Sequence, residues 1–180
     1  MQKKIQITLL PATDKEKSLE IDLRQELHLM ITGIPDADRK MIFDAIREQL
    51  QAMPDTDVRK IDLTEENAKS QMRTIFQELE NRYHTMAKLG MRTIEDCNQT
   101  AANNWHYIVV LINYHPVTEI DDLICKLAQK GRAAGIHLIL ESSATPPSRM
   151  CFNFPTRFEM SENEATLISY GKKCERRSLH

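Results

Sequence analysis

Residues Leu27–Ile46 read LHLMITGIPDADRKMIFDAI. Leu27–Thr32 is nearly continuous in apolar residues, the pattern of a strand buried on both faces of a sheet. After Gly33 and Pro35, residues Ile42, Phe43, Ile46, Leu50 and Met53 recur at helical spacing, and Pro54 ends the run. A strand, a tight turn and a helix in this order make a phosphate-binding unit, in which glycines let backbone N–H groups wrap an anion. Here the turn carries Asp36 and Asp38 instead. Each puts a β-carbon where unusual backbone angles are needed. Each also brings negative charge: at ~5 Å and an effective dielectric of ~20, a pair of like unit charges is repelled by roughly 3 kcal/mol.

On the N-terminal side, KIQITLL and SLEIDLR have strand-length apolar patterns separated by a turn-rich segment, which predicts a hairpin within residues 1–25. On the C-terminal side, VRKIDL is a weak strand candidate. A helix capped by Thr64 follows, with Met72, Ile75, Phe76, Leu79, Tyr83 and Met86 on one face and Gly90 at its end. Thr93 is placed to cap a short helix through about Asn103. YIVVLIN (Tyr107–Asn113) is the strongest strand in the chain, a helix starts at Thr118, and IHLILES is another buried strand. TRFEM is read as the last strand and GKKCERRSLH as a frayed basic tail. Buried strands alternating with amphipathic helices predict a three-layer α/β fold with a mainly parallel sheet. The organisation expected is a single domain, with the hairpin at 1–25, a core at 26–160 and a tail at 161–180.

The 180 residues are 41% hydrophobic and 28% charged with a formal net charge of −2, so overall charge gives no general attraction to nucleic acid. Cys97, Cys125, Cys151 and Cys174 are scattered without metal-ligand spacing, and they are read as reduced thiols with no metal site. The N-terminus lacks a signal-peptide pattern, and no window reaches the ~20 apolar residues of a membrane span. A cytoplasmic protein is expected.

The segments ELENRYHTMAKLGMRTIEDCN, YIVVLIN, DDLICKLAQKGRAAGIHLIL and NFPTRFEMS occur in an order that resembles the motor domain of the bacterial FtsK/SpoIIIE DNA translocases, from about Leu19 to Met160. The resemblance implies a RecA-like P-loop NTPase core. It implies a hexameric motor on duplex DNA, driven by ATP with magnesium. Set against the family pattern, the catalytic motifs depart. Aligned on Gly33, the phosphate loop has Asp38 at its second invariant glycine, Arg39 at the lysine and Lys40 at the magnesium-binding hydroxyl; Asp36 replaces a further glycine. The strand that ends in Asp-Glu in the family ends here in Asn113 and Tyr114, followed by His115, a conceivable substitute base. The polar sensor segment is replaced by Glu141, Ser142, Ser143, Ala144 and Thr145. Arg132, in QKGRAAG, matches the arginine that the family extends into a neighbouring subunit's site. The family also has an additional strand and insertion between Met53 and Thr64, and its motor continues beyond NFPTRFEMS. A reduced, narrower core is therefore expected.

The residues themselves account for the turn more simply: Asp36 or Asp38 caps the next helix, Pro35 shapes its start, and Arg39 and Lys40 face solvent. Three functions follow as expectations. The first is a non-catalytic module, a pseudo-ATPase without cofactor that acts through a protein partner or copies of itself. The second is a weakly active translocase subunit that still binds or slowly hydrolyses ATP with magnesium, with Arg39 or Lys40 gripping phosphate and His115 helping. The third is an accessory protein that contacts duplex DNA through Lys126, Lys130, Lys172, Lys173, Arg176 and Arg177.

Overall fold

In the computed structural model, which describes residues 4–14, 16–33, 36–100, 104–116 and 118–178, the chain opens on the expected antiparallel hairpin. Its strands are β1 (Gln6–Leu10) and β2 (Leu19–Asp22), and Ile7, Leu9, Leu19 and Ile21 are buried on one face. Asp22 accepts from the Arg24 N–H and starts a single helical turn, α1 (Leu23–Glu26). β3 (Leu29–Gly33) and α2 (Asp36–Gln51) come next, then β4 (Thr56–Asp62), α3 (Ala68–Leu89), α4 (Ile94–Gln99) and β5 (Tyr107–Asn113). α5 (Thr118–Lys130) leads through a 3-10 turn at Arg132–Ala134 into β6 (Ile136–Ser142). The short helix α6 (Ser148–Asn153) precedes β7 (Thr156–Met160), β8 (Glu164–Ser169) and β9 (Lys172–Ser178).

Among the described residues, the strands beyond the hairpin form one seven-stranded sheet in the order β4-β5-β6-β3-β7-β8-β9. The pairs from β4 to β7 are parallel, and β8 and β9 extend the sheet antiparallel. The expected α/β class with a mainly parallel sheet is therefore what folds. Side chains alternate between two cores. Ile108, Val110 and Ile112 of β5 point to a core shared with α3 and α5, while Val109 and Leu111 point to one shared with α2 and the hairpin. A strand buried on both faces needs the near-continuous apolar run seen in YIVVLIN.

Three expectations are corrected. The weak strand candidate VRKIDL is a full strand, because β4 pairs with β5 along its whole length, from Thr56 opposite Tyr107 to Asp62 opposite Asn113. Residues 164–178 are not frayed: β8 and β9 turn at Tyr170 and Gly171, and Ala165, Leu167 and Ile168 are buried. The third concerns α3, which begins at Ala68 rather than after Thr64. The Thr64 N–H and hydroxyl both donate to Asp62 Oδ1, which holds Thr64 in a turn that leaves β4. Thr93 does cap α4, in a reciprocal box with Asp96; α4 ends at Gln99, and residues 101–103 lie outside the described ones.

Two of the family-like segments meet in space. From α3, the buried Arg82 donates to the Ala134 carbonyl at 2.8 Å, and the Tyr83 hydroxyl donates to the Lys130 carbonyl at 2.7 Å. Glu78 holds Arg82 from one side at 2.9 Å, and the Trp105 ring lies 5.5 Å away on another. The segment they grip turns on Gly131, where a β-carbon would stand 2.5 Å from the Ile136 carbonyl oxygen. ELENRY is thus a clamp on QKGRAAG.

A histidine is sealed in the sheet beside this clamp. His28 Nε2 donates to the Ala128 carbonyl at 2.8 Å, and its Nδ1 accepts from the Leu138 N–H at 3.0 Å, so the neutral ring is fully bonded. Burial, with neighbouring His137 as a second cause, holds its pKa down to about 3. The unfolded chain gains a proton near pH 6.5 that the folded chain refuses, so stability present above that pH is lost as pH falls towards 3. Acidification from pH 7 to pH 5 is expected to lower the unfolding free energy by roughly 2 kcal/mol through His28 alone. Urea unfolding at the two pH values checks this, and a flat or rising stability would refute it.

Candidate functional site

β3, β5 and β6 end side by side at the C-terminal crest of the sheet. The register sets Glu141 between Ile31 on one side and Asn113 on the other. Gly33 closes β3 with φ +105°, and a β-carbon there would stand 1.9 Å from the Met160 carbonyl oxygen. The close approach of β7 is sufficient reason for this glycine. Only residues 34 and 35 separate the strand from α2, so Asp36–Lys40 are already helical where a phosphate loop would have to wrap. Pro35 lies outside the described residues.

The sequence reading places Arg39 in solvent, and the structure corrects it. Arg39 is 2% exposed. Its Nε donates to Glu141, its Nη1 donates to the Gly33 carbonyl, and Nη1 lies 2.8 Å from Asp36 Oδ1. Glu141 is itself 3% exposed, so this ion pair is sealed inside the crest. Asp36 and Asp38 sit in the first turn of α2, where negative charge suits the helix N-terminus, and Lys40 is exposed as expected.

The residues at the end of β5 are also held by this chain's own groups. Asn113 donates through Nδ2 to Asp62 Oδ2 at 2.8 Å. Asp62 also accepts from Thr64, which together with that amide keeps its carboxyl below the usual range. The Tyr114 side chain is packed inward, 3% exposed and within the α3–α5 core. Burial first, and then the carboxylate of Asp121, push its hydroxyl well above the ordinary tyrosine range. Arg149 of α6 reaches Asp122 at 2.6 Å and Asp121 at 3.6 Å, tying the segment after β6 to α5. His115 stays exposed on the loop after β5, as do Ser143, Ala144 and Thr145 after β6.

Other named residues lie elsewhere. Arg132 is exposed in the turn before β6, at the opposite end of that strand from Glu141, roughly 20 Å away along the strand at ~3.3 Å per residue. Lys126 and Lys130 are exposed on α5, with Lys130 3.9 Å from Glu80. Lys172 and Lys173 are exposed on β9, whereas Arg176 pairs with Glu164, and the buried Arg177 pairs with Glu175 and, at 3.6 Å, with Glu16. β9 is four strands from β6, roughly 19 Å at ~4.8 Å per strand, so α5 and β9 carry separate charges rather than one patch. Among the described residues, no three His, Cys, Asp or Glu side chains are grouped to hold a metal ion.

Glu141 is the residue that sequence reasoning undervalued. An acid inside the otherwise apolar IHLILES must find a buried cation, and Arg39 of α2 is that partner.

Comparison with known proteins agrees with this architecture. FtsK of Chlorobaculum tepidum, a DNA translocase, is 25% identical across 82% of this chain, and that of Streptococcus pneumoniae is 26% identical across 73%. The chain resembles the FtsK translocases. A shorter stretch, 47% of the chain, is 31% identical to FtsK of Streptococcus pyogenes. The chain spans 22% and 24% of the length of the first two relatives, about a quarter. No protein-family model matches it. Among solved structures, the pCW3 conjugation coupling protein TcpA, in a monomer form with ATPγS, superposes with a TM-score of 0.76 at 13% identity, over 99% of this chain and 66% of TcpA. ATPases 2 and 3 of EccC from Thermomonospora curvata, in complex with a signal sequence peptide, give 0.69 at 13% identity over 86% of this chain and 36% of theirs. The fold is that of RecA-like P-loop ATPase domains.

Removing Arg39 from its seat leaves a buried carboxylate without a cation. Arg39→Ala is expected to cost about 3–5 kcal/mol, while replacing Arg39 and Glu141 together with Met and Leu recovers most of that loss. Urea denaturation of the three proteins measures both; an Arg39→Ala change costing under about 1 kcal/mol would show that the pair is not sealed.

Proposed function

We propose that the chain is a non-catalytic FtsK-like module, a pseudo-ATPase that acts through a protein partner or copies of itself in a process related to DNA translocation. One observation carries this reading. The cation at the family's lysine position is held by Glu141, the Gly33 carbonyl and Asp36 instead of being offered to a ligand. An incoming triphosphate would have to take the guanidinium from a buried carboxylate, and it would meet the charge of Glu141 and Asp36 if it did.

The residues do not fit magnesium and ATP. The hydroxyl position holds Lys40, the aspartate position holds Asn113 with its amide committed to Asp62, and the glutamate position holds Tyr114 turned into the core. No hydrolytic step can be written through them. What persists is scaffold: the Arg82 and Tyr83 clamp, and the exposed Arg132 on a turn fixed by Gly131. A surface kept in shape without its chemistry suits packing against another subunit. Duplex DNA is offered less, since Arg176 and Arg177 are paired with carboxylates of this chain.

Calorimetry with Mg·ATP up to millimolar concentration is expected to give no binding heat to the folded protein. Micromolar affinity would defeat the reading. Micromolar affinity abolished by Arg39→Ala would further show that this guanidinium leaves Glu141 for the nucleotide.

A further inference from the structure

At the N-terminal end of β6, away from the Arg39 site, lies a polar cleft of about 590 Å³ whose walls include Lys4, Asp22, Arg24, Glu95, Arg132 and His137. This volume is within the range of small-molecule sites. Its acids are already engaged. Asp22 accepts from the N–H groups of Ile5 and Arg24. Glu95 accepts from the Tyr107 hydroxyl at 2.7 Å and from Arg24 at 3.1 Å. Asp96, on the same wall, accepts from the N–H groups of Arg92 and Thr93. Lys4 and Arg132, by contrast, are exposed, and their side chains make neither a hydrogen bond nor an ion pair among the described residues.

His137 forms the floor and is 1% exposed. Its Nδ1 donates to the Leu27 carbonyl at 2.8 Å, which fixes the tautomer and leaves Nε2 as a bare acceptor. That nitrogen is buried without a partner, and burial is the main cause holding the ring uncharged. A buried acceptor calls for a donor. The cleft therefore presents two uncommitted cations and one acceptor that wants a proton-bearing group. A carboxylate group alone would satisfy the cations but carries no donor at neutral pH. A phosphate monoester of a sugar or other polyol has both, because its phosphoryl group is mostly dianionic at neutral pH, its second ionisation lying near pH ~6, while the alcohol part carries hydroxyls.

We propose that this cleft binds a small phosphate monoester, with phosphoryl oxygens on Lys4 and Arg132 and an O–H of the ligand donated to Nε2 of His137. The site stands apart from the Arg39 crest and does not depend on whether that crest has lost its nucleotide.

Calorimetry on the full chain with ribose 5-phosphate, inorganic phosphate and uncharged ribose tests it, with the ¹⁵N resonance of His137 Nε2 as a local readout. Saturable binding of ribose 5-phosphate is expected, with Nε2 moving away from its bare-lone-pair position. Arg132→Gln and Lys4→Gln, both at exposed side chains, are each expected to weaken binding about tenfold without changing Tm. Inorganic phosphate binding as tightly as the sugar phosphate would support the site and make the free ion its ligand. Ribose binding equally well, or no saturation at millimolar probe, would overturn the proposal. So would binding that appears only as the protein self-associates, since Arg132 would then be serving a neighbour's ligand.

Discussion

A guanidinium taken out of water must find a counter-charge and acceptors for its N–H groups at once, or the fold that buried it will not form. Arg39 meets that demand at the junction of three elements. Glu141 comes from the end of β6, the Gly33 carbonyl from the end of β3, and Asp36 from the first turn of α2. Each partner fixes the position of one element, so the geometry of the crest follows from neutralising one cation. The early start of α2 belongs to the same solution: one helical turn from Asp36 to Arg39 brings the carboxylate and the guanidinium onto one face.

The segments that resemble the translocases have packing duties. Arg82 is buried under Trp105 and bonded to the Ala134 carbonyl, Tyr83 is bonded to Lys130, and Gly131 sits where no side chain fits. Each is constrained by neighbours on all sides. The nucleotide positions are constrained only while a nucleotide is bound. In this chain Asn113 bonds to Asp62 and Tyr114 fills core volume.

Much of the fold was legible because strands buried on two faces announce themselves as apolar runs: LHLMIT, YIVVLIN and IHLILES all became central strands. The edges were harder. β4 carries only Val58 and Ile61 as apolar residues, and β9 is dominated by charge, because an edge strand has one side in water and need not alternate cleanly. At the crest, the altered motif positions were visible residue by residue, but their mutual arrangement was not. Arg39 on a helix and Glu141 on a strand are far apart in the chain, and nothing local says that they meet. The acid within an apolar strand was the available clue. The paired state of Arg176 and Arg177 was equally hidden, since their partners Glu164, Glu175 and Glu16 depend on β8 and β9 forming against the hairpin loop.

β9 also bears on how copies of this chain can meet. A seven-residue strand at the rim of a sheet offers a row of unpaired backbone groups, an invitation to grow fibres. Here the rim opens on the exposed Lys172 and Lys173, charges of the kind that blunt an edge strand. Arg177 turns inward to Glu175 and Glu16 and ties the strand down. Pairing of one β9 rim with another is thereby disfavoured, which directs contacts between copies of this chain away from that rim.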